Sequence, residues 1–371
     1  MIYLGMRAKG RDNNLNLIRM LAATAVLVSH AVPLTAGPDA IEPLTAATDY
    51  SLGSLSVMLF FVISGFLITA SFERSSSRMS FVLARGLRLF PGLVVNLLLV
   101  AFLLGPVVTS LPVGDYLAQS APYAFVIRDV LLFPLVYVLP GVFVDQPFPS
   151  VVGSIWTLRH EVMCYAAVFL AGVLGLWQTR QKAALTLGFY VLVWGWVALA
   201  APTLHPLVRG LLGLSMPFAI GVAFYIWRDR LPLSPVGVAL TIGLAWLLQD
   251  SVAYPAAVAL AIGYSTFWVA YVPGGAIRAY NRLGDYSYGI YIYAFPLQGA
   301  AVWAFGPQSA FENVMYSLPP TLLLSMLSWH LIESPAMHAK AAILTRLRSR
   351  SRVTATPVAG DSRLFKTSRK G

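Results

Sequence analysis

The sequence predicts an all-α membrane protein that crosses the bilayer about ten times, with both termini in the cytoplasm. Hydrophobic residues make up 58% of the 371-residue chain and charged residues only 11%, whereas a soluble protein carries about 25% charged residues. The mean hydropathy is +0.72, and the apolar residues are gathered in runs long enough to span a bilayer. This composition excludes a soluble globular fold.

The apolar runs divide the chain into a short N-terminal segment, a membrane domain and a tail. Residues 1–14 are basic and polar and lack a short apolar core with a cleavage site, so the first apolar run is predicted to be a retained span. The membrane domain covers 15–335, and 336–371 form a basic cytoplasmic tail that is predicted to be disordered. The predicted spans lie near residues 15–33, 51–72, 90–110, 155–176, 184–201, 208–227, 234–250, 253–272, 287–305 and 316–333.

The basic residues are sorted to one side of the predicted membrane domain. All but four of the 26 lysines and arginines fall in the N-terminal segment, in alternate loops or in the tail. The positive-inside rule therefore places both termini in the cytoplasm, and ten is the number of spans that produces this sorting. The net charge of +11 is explained by this distribution, so membrane lipids are expected partners and nucleic acid is not.

A long outer loop is predicted between the third and fourth spans. Its segment from Asp129 to Val144 is apolar, but it is short and interrupted by Pro134 and Pro140. A span here would reverse every later loop and move the basic residues outward. The segment is therefore interpreted as an interfacial or re-entrant piece.

Two ionisable side chains lie within the first span. Arg19 and His30 are 11 residues apart, which is three helical turns plus about 20°, so both project from one face about 16 Å apart along the axis. Ionisable groups at this depth are costly unless they face a polar cavity, which makes the pair a candidate site. The alternative is a snorkelling arginine at one end and a capped histidine at the other.

The second span and the loop after it hold two further candidates. Ser64 and Gly65 lie in the motif FFVISGFLIT and allow either close helix packing or a cavity lined by backbone. Arg85 and Arg88 lie three residues apart in RGLRLFP, on one face of a helical turn. Two guanidiniums at the cytoplasmic surface suit a phosphate-bearing ligand, although a plain positive-inside anchor explains them as well.

The fourth span begins with WTLRHEVMCY, in which Glu161 lies one or two turns below the outer surface. His30 is expected at a similar depth, so the carboxylate is predicted to orient the imidazole or stabilise its protonated form during general-base catalysis. Tyr165 lies on the same face as Glu161, whereas His160 is predicted to be interfacial. The single cysteine excludes an internal disulfide, and no cluster has the spacing of a metal site.

Two candidates lie near the C-terminal end of the membrane domain. Tyr288 and Tyr291 place polar groups inside the apolar run of LGDYSYGIYIYAFP, and the deeper Tyr291 requires a hydrogen-bond partner. Glu333 in SWHLIESP lies at the cytoplasmic end of the last span, where an ion pair with a basic residue is expected.

Taken together and in this order, these motifs resemble those of the integral-membrane acyltransferase-3 family, which includes O-antigen and Nod-factor O-acetylases. The resemblance extends over about residues 12–335, and the YGIYIYAFP stretch is most similar to the Nod-factor and exopolysaccharide branch. One position departs from the pattern, since many members have a histidine where this chain has Ala294.

The resemblance implies a multi-pass enzyme of the bacterial inner membrane that transfers acetyl groups from cytoplasmic acetyl-CoA to a hydroxyl of an envelope or secreted glycan. His30 is then the base, Glu161 is the family carboxylate, and Arg19, Arg85 and Arg88 serve the donor. Acetyl-CoA is a substrate, and no permanently bound cofactor or metal is expected. The alternatives are a transporter or flippase of a lipid-linked sugar and a purely structural membrane protein.

Overall fold

The computed structural model describes residues 2–10, 12–199 and 203–354, and almost all of its regular structure is helical. A two-stranded sheet joins β1 (Ile2–Tyr3) to β2 (Pro232–Leu233), and single π-helical turns cover Val100–Leu104 and Trp329–Glu333. The helices are α1 (Leu4–Arg7), α2 (Leu15–Ala36), α3 (Pro43–Thr48), α4 (Leu52–Arg74), α5 (Arg78–Leu99), α6 (Gly105–Val108), α7 (Val113–Ala118), α8 (Ala121–Val130), α9 (Trp156–Val173), α10 (Arg180–Leu199), α11 (Pro206–Ile226), α12 (Pro235–Leu247), α13 (Tyr254–Tyr271), α14 (Ser287–Phe305), α15 (Ala310–Ser328), α16 (Ser334–His338) and α17 (Lys340–Thr354).

Several of these helices are long and apolar enough to cross a membrane, which confirms a helical multi-pass membrane protein. Five pass by length and composition: α2, α4, α5 continued through α6, α10 and α11. A sixth is α13 together with the 3₁₀ helix Gly275–Arg282, which is bent by 92° against it. The other predicted spans contain helices that are shorter or more polar, such as α12 with 13 residues. The count of ten and the orientation therefore stay predictions.

Helix α4 is the centre of the bundle, and it packs along α2, α9, α11 and α13. A Cβ atom added to Gly65 would come within 2.0 Å of the carbonyl oxygen of Phe218, and one added to Gly221 would come within 2.0 Å of that of Val62. Only glycine permits this approach of two helix backbones. The sequence left open whether Gly65 supports packing or lines a cavity, and the structure assigns it to packing.

The N-terminal segment is folded against the loops at one end of the bundle. Leu4 is fully buried, and its backbone N–H donates to the carbonyl of Leu231 at 2.9 Å. Arg278 forms an ion pair with Asp12 at 2.5 Å, so the loop after α13 is held at the same end. These loops are among those that the charge pattern places together on one side of the membrane.

The region between α6 and α9 contains two short helices followed by irregular backbone. Val142 forms an isolated antiparallel bridge with Thr109, and Leu132 and Phe143 are buried. No helix spans the described residues from Leu131 to Ile155, which agrees with the prediction of a non-spanning segment.

Asp129 is the buried carboxylate of this outer loop. Its Oδ1 accepts a hydrogen bond from the backbone N–H of Val136 at 2.8 Å, whereas its Oδ2 is buried without a partner among the described residues. Burial raises the pKa of Asp129 to about 7, against the opposing effect of the Val136 hydrogen bond. The carboxyl group is therefore held in its protonated form at mildly acidic pH.

The tail differs from the sequence-based expectation over its first part. Disorder was predicted from residue 336 onward, but α16 and α17 continue the chain as helix through Thr354. The remaining part of that prediction, residues 355–371, lies outside the described residues.

Candidate active site

Two cavities inside the bundle hold most of the candidate residues. The inner cavity, about 120 Å³, is lined by Arg19 at one end of α2, and the outer cavity, about 340 Å³, is lined by His30, 11 residues further along that helix. Both cavities touch Val57, Thr157 and Tyr291. The side chains at the two ends of α2 therefore face adjoining spaces in the protein interior.

Arg88 in the inner cavity is held by two carboxylates. Its guanidinium lies 2.7 Å from Asp285 and 2.9 Å from Glu333, and it also stacks over the rings of Tyr288 and Trp329. Glu333 is fully buried, so its pairing with Arg88 removes the cost of an isolated interior charge. The ion pair expected for Glu333 is thus present, with Arg88 as its partner.

Asp285 joins two of the predicted donor-site arginines. One of its carboxylate oxygens lies 2.5 Å from Arg19 and 2.7 Å from Arg88, and the other accepts from the Ser287 hydroxyl at 2.6 Å. Burial alone raises the pKa of Asp285, but Arg19 and Arg88 outweigh it and lower the pKa to about 2. Asp285 is the only carboxylate of the LGDYSY motif, and its spacing in the sequence predicted no role for it.

Arg85 differs from Arg88 in its surroundings. It lines the inner cavity, but it has no carboxylate within ion-pair distance and its Nε is buried without a hydrogen-bond partner in the described part of the chain. From the sequence, Arg85 and Arg88 are predicted to have the same role at the donor site. In the structure, Arg88 is neutralised by its neighbours, and Arg85 retains hydrogen-bonding capacity for an anionic ligand.

Glu161 also lines the inner cavity, together with Ser64 and Tyr165. The Tyr165 hydroxyl donates to Glu161, and the Ser64 hydroxyl lies 3.4 Å from both the Glu161 carboxylate and the Tyr165 hydroxyl. These three polar side chains form one hydrogen-bonded group across α4 and α9.

The expected contact between Glu161 and His30 is not formed. On α9, Trp156 and Thr157 line the outer cavity about one turn before Glu161, which lines the inner cavity, so the carboxylate does not reach the imidazole. His160, for which an interfacial position is predicted, packs within the protein. Its ring is buried, and its nitrogens lie 2.9 Å from the carbonyl of Trp156 and 3.1 Å from that of Leu207.

His30 lies in the outer cavity without an orienting carboxylate among the described residues. Its Nδ1 is buried and has no hydrogen-bond partner there, and its ring meets the edge of Phe295 at 5.2 Å between centroids. The preceding residue, Ser29, donates to Glu42 and lines the same cavity. The imidazole is therefore positioned by packing, and its Nδ1 is not engaged by another described group.

A hydrogen-bonded seam separates the two cavities. The hydroxyls of Thr157 and Tyr291 lie 2.5 Å apart, and the Tyr291 hydroxyl lies 3.0 Å from the carbonyl of Ser154. Tyr288 instead donates to the carbonyl of Leu89 at 2.7 Å, which ties α14 to α5 beside the arginines. Of the two tyrosines singled out in the sequence, Tyr291 therefore lies between the inner cavity with its arginines and the outer cavity with His30.

Comparisons with known proteins show what the chain as a whole is similar to. The chain matches a family model described as an acyltransferase domain over residues 12–330. It is similar to an O-acetyl transferase of Shigella phage Sf6, with 28% identity over 87% of this chain and 95% of that protein. It is also similar to Nodulation protein 10 of Rhizobium leguminosarum bv. viciae, with 26% identity over 91% of this chain and 97% of that protein. No solved structure matches the chain.

Proposed function

Because the chain belongs to the acyltransferase-3 family, we propose that it is an O-acetyltransferase of the bacterial inner membrane that moves acetyl groups from cytoplasmic acetyl-CoA to a glycan hydroxyl. That the protein is a membrane acyltransferase follows from its family and its helices. Transfer of an acetyl group to oxygen is supported by the name of the phage relative, which is an O-acetyl transferase; the acetyl-CoA donor and the glycan acceptor are what the resemblance of the motifs implies. The proposed orientation is the one that the charge pattern predicts, with ten spans and both termini in the cytoplasm.

The observation that carries the proposal is the pair of adjoining cavities. An arginine-lined inner cavity and a histidine-bearing outer cavity share the wall formed by Val57, Thr157 and Tyr291. This arrangement suits a donor that enters from the arginine end and an acceptor that enters from the other. The two substrates then meet at the shared wall.

Arg85 is the proposed contact for a phosphate of acetyl-CoA. A guanidinium whose hydrogen bonds are not used by the protein can bind phosphate through two parallel N–H donors. Arg19 and Arg88 hold the lining of the cavity in place through Asp285. This assignment changes the sequence-based expectation, in which Arg85 and Arg88 contact the donor alike.

His30 is the proposed general base for the acceptor. Its free ring nitrogen removes the proton from the glycan hydroxyl as the hydroxyl oxygen attacks the thioester carbonyl carbon. The new ester bond forms, the carbon–sulfur bond breaks, and the CoA thiolate leaves and takes up a proton. General-base assistance of this kind is worth roughly 10²–10⁴ in rate.

Glu161 has a different proposed role from the one that the sequence suggested. It holds the hydroxyls of Tyr165 and Ser64 in the inner cavity, where they line the path of the pantetheine arm. The carboxylate also balances the positive charge of Arg85, because both groups face the same small space.

The test uses the purified protein in detergent with acetyl-CoA and a de-O-acetylated surface polysaccharide. The release of CoA thiol and the mass of the ester product are measured. His30→Ala should lower ester formation at least about a hundredfold, whereas the exposed control His338→Ala should retain it. Arg85→Ala should raise the KM for acetyl-CoA about tenfold, and Arg78→Ala, exposed on the same helix, should not.

A transporter or flippase of a lipid-linked sugar would release no thiol under these conditions. Normal ester formation by His30→Ala would remove the histidine from the reaction. An unchanged KM in Arg85→Ala would remove that arginine from the donor site.

A further inference from the structure

A third cavity, of about 470 Å³, lies between the outer loop and the connection from α14 to α15. We call it the loop cavity. It is separate from the inner and outer cavities, with which it shares no lining residue. Its polar and aromatic lining includes Thr35, Ser110, Asp145, Gln146, Trp303 and Gln308.

The loop cavity is lined by two glutamines with side-chain amide atoms that have no hydrogen-bond partner among the described residues. Both amide atoms of Gln308 are buried without a partner among the described residues, and so is Oε1 of Gln146. The Gln146 side chain is held in place, because its Nε2 donates to the carbonyl of Gly299 at 2.8 Å. Buried polar atoms without partners are costly, so this lining is suited to a ligand that supplies both hydrogen-bond donors and acceptors.

The other lining residues restrict the chemistry of that ligand. Trp303 is 50% exposed and offers a flat aromatic surface at the edge of the cavity. Among the described residues, Asp145 is the only charged residue in the lining, and they contribute no lysine, arginine or histidine to it. A phosphate or a carboxylate would therefore meet no positive charge. A neutral ring rich in hydroxyl groups fits the aromatic surface, the amides and the carboxylate together.

The loop cavity is connected to the candidate active site through two helices. Thr35 follows His30 by five residues on α2, which is about 7.5 Å along the axis. On α14, Phe295 contacts the imidazole of His30, and Trp303 lies about two turns further on. A ligand seated at Trp303 is thus within a short distance of the histidine end of the interior.

From these observations we infer that the loop cavity is a subsite for a neutral sugar residue of the acceptor, next to the residue that receives the acetyl group. That the sugar belongs to an acceptor follows from the proposed function, on which this inference rests. The subsite would select acceptors longer than one sugar unit and fix which hydroxyl reaches His30.

The test measures binding of oligosaccharides to the purified full-length protein by saturation-transfer NMR. The probe is a size-graded oligosaccharide mixture from the alkali-treated surface polysaccharide of the source strain. Trp303→Ala and Gln308→Ala should each weaken binding about tenfold. Trp196→Ala removes a tryptophan that is 76% exposed on α10 and lies outside the cavity, so it should bind as the unchanged protein does.

Ser110→Trp provides a second test, since it fills the loop cavity from an exposed position and removes no buried contact. It should abolish oligosaccharide binding. The inference is overturned if the unchanged protein binds no oligosaccharide, or if Trp303→Ala, Gln308→Ala and Ser110→Trp all bind normally.

Thiol release from acetyl-CoA, measured on the same preparations with the de-O-acetylated polysaccharide present, separates this inference from the proposed function. Protein that releases thiol but binds sugar independently of these substitutions refutes the subsite alone. Protein that loses sugar binding on substitution but releases no thiol supports the subsite and refutes acetyl transfer.

Discussion

Replacing Asp285 with asparagine should destabilise the fold by roughly 2 kcal/mol. The carboxylate lies at 2.5 Å from Arg19 and 2.7 Å from Arg88 and is largely buried. These two cations lower its pKa from 3.8 to about 2, against the opposing effect of burial. Each pKa unit corresponds to 1.36 kcal/mol, so the charged carboxylate contributes about 2 kcal/mol more to the folded state than its neutral form does.

The stabilisation that the Asp285 carboxylate provides is lost at low pH. Because the pKa is lowered on folding, the stabilisation is fully present above pH 3.8 and is lost as the pH falls through about 2. The difference in the free energy of unfolding between the unchanged protein and Asp285→Asn should therefore be constant from about pH 5 to pH 8. It should shrink only in strong acid.

The single cysteine gives a direct assay for this prediction. Cys164 is 4% exposed, so a thiol-reactive fluorescent dye labels it only when the protein unfolds. Heating Asp285→Asn with the dye should give a clearly lower Tm than the unchanged protein. The control is Asp229→Asn, whose ion pair with Arg180 is exposed and should contribute less than about 1 kcal/mol. Equal Tm values for the two variants would refute the argument that Asp285 stabilises the arginine cluster.

Two further predictions concern the seam and the outer loop. Tyr291→Phe removes the hydroxyl that meets Thr157 and Ser154; it should raise thiol release without acceptor and lower the fraction of acetyl groups that reach the glycan, measured by mass spectrometry. Asp129→Asn should raise the Tm at pH 8 more than at pH 5, because burial raises the pKa of Asp129 to about 7 and the cost of ionising it grows as the pH rises.

Each of these predictions has a result that would contradict it. For Tyr291→Phe, an unchanged ratio of ester to thiol would show that the seam does not separate water from the thioester. For Asp129→Asn, a Tm difference that is the same at both pH values would show that Asp129 ionises alike in the folded and unfolded chain.

The sequence predicted the class of protein and the residues that point inward better than it predicted their partners. Arg19 and His30 are 11 residues apart, and helical geometry alone places them on one face of α2. Glu161 shows the limit of that method. The depth of a residue was inferred from where its span begins, and an error of one turn on α9 moves the carboxylate from one cavity to the other.

Asp285 and Gly65 have roles that depend on residues far away in the sequence. Asp285 stands in a motif dominated by tyrosines, and its role depends on two arginines that are 197 and 266 residues away. For Gly65, the sequence allowed both packing and a cavity, and only the position of the Phe218 backbone decides between them. Long-range pairing of this kind cannot be inferred from spacing along one helix.

In the proposed reaction, the seam between the cavities would keep the thioester apart from water until an acceptor is bound. Arg85 and His30 line different cavities, and in the proposed reaction the acetyl group passes the hydrogen-bonded side chains of Thr157 and Tyr291 on its way to the acceptor. Breaking that contact costs on the order of 1 kcal/mol, which the binding of an acceptor hydroxyl to the same side chains can offset. A catalytic site that becomes continuous only when the acceptor is bound would couple thioester cleavage to ester formation, and it follows that the hydroxyl of Tyr291 affects the fate of the acetyl group more than the affinity for acetyl-CoA.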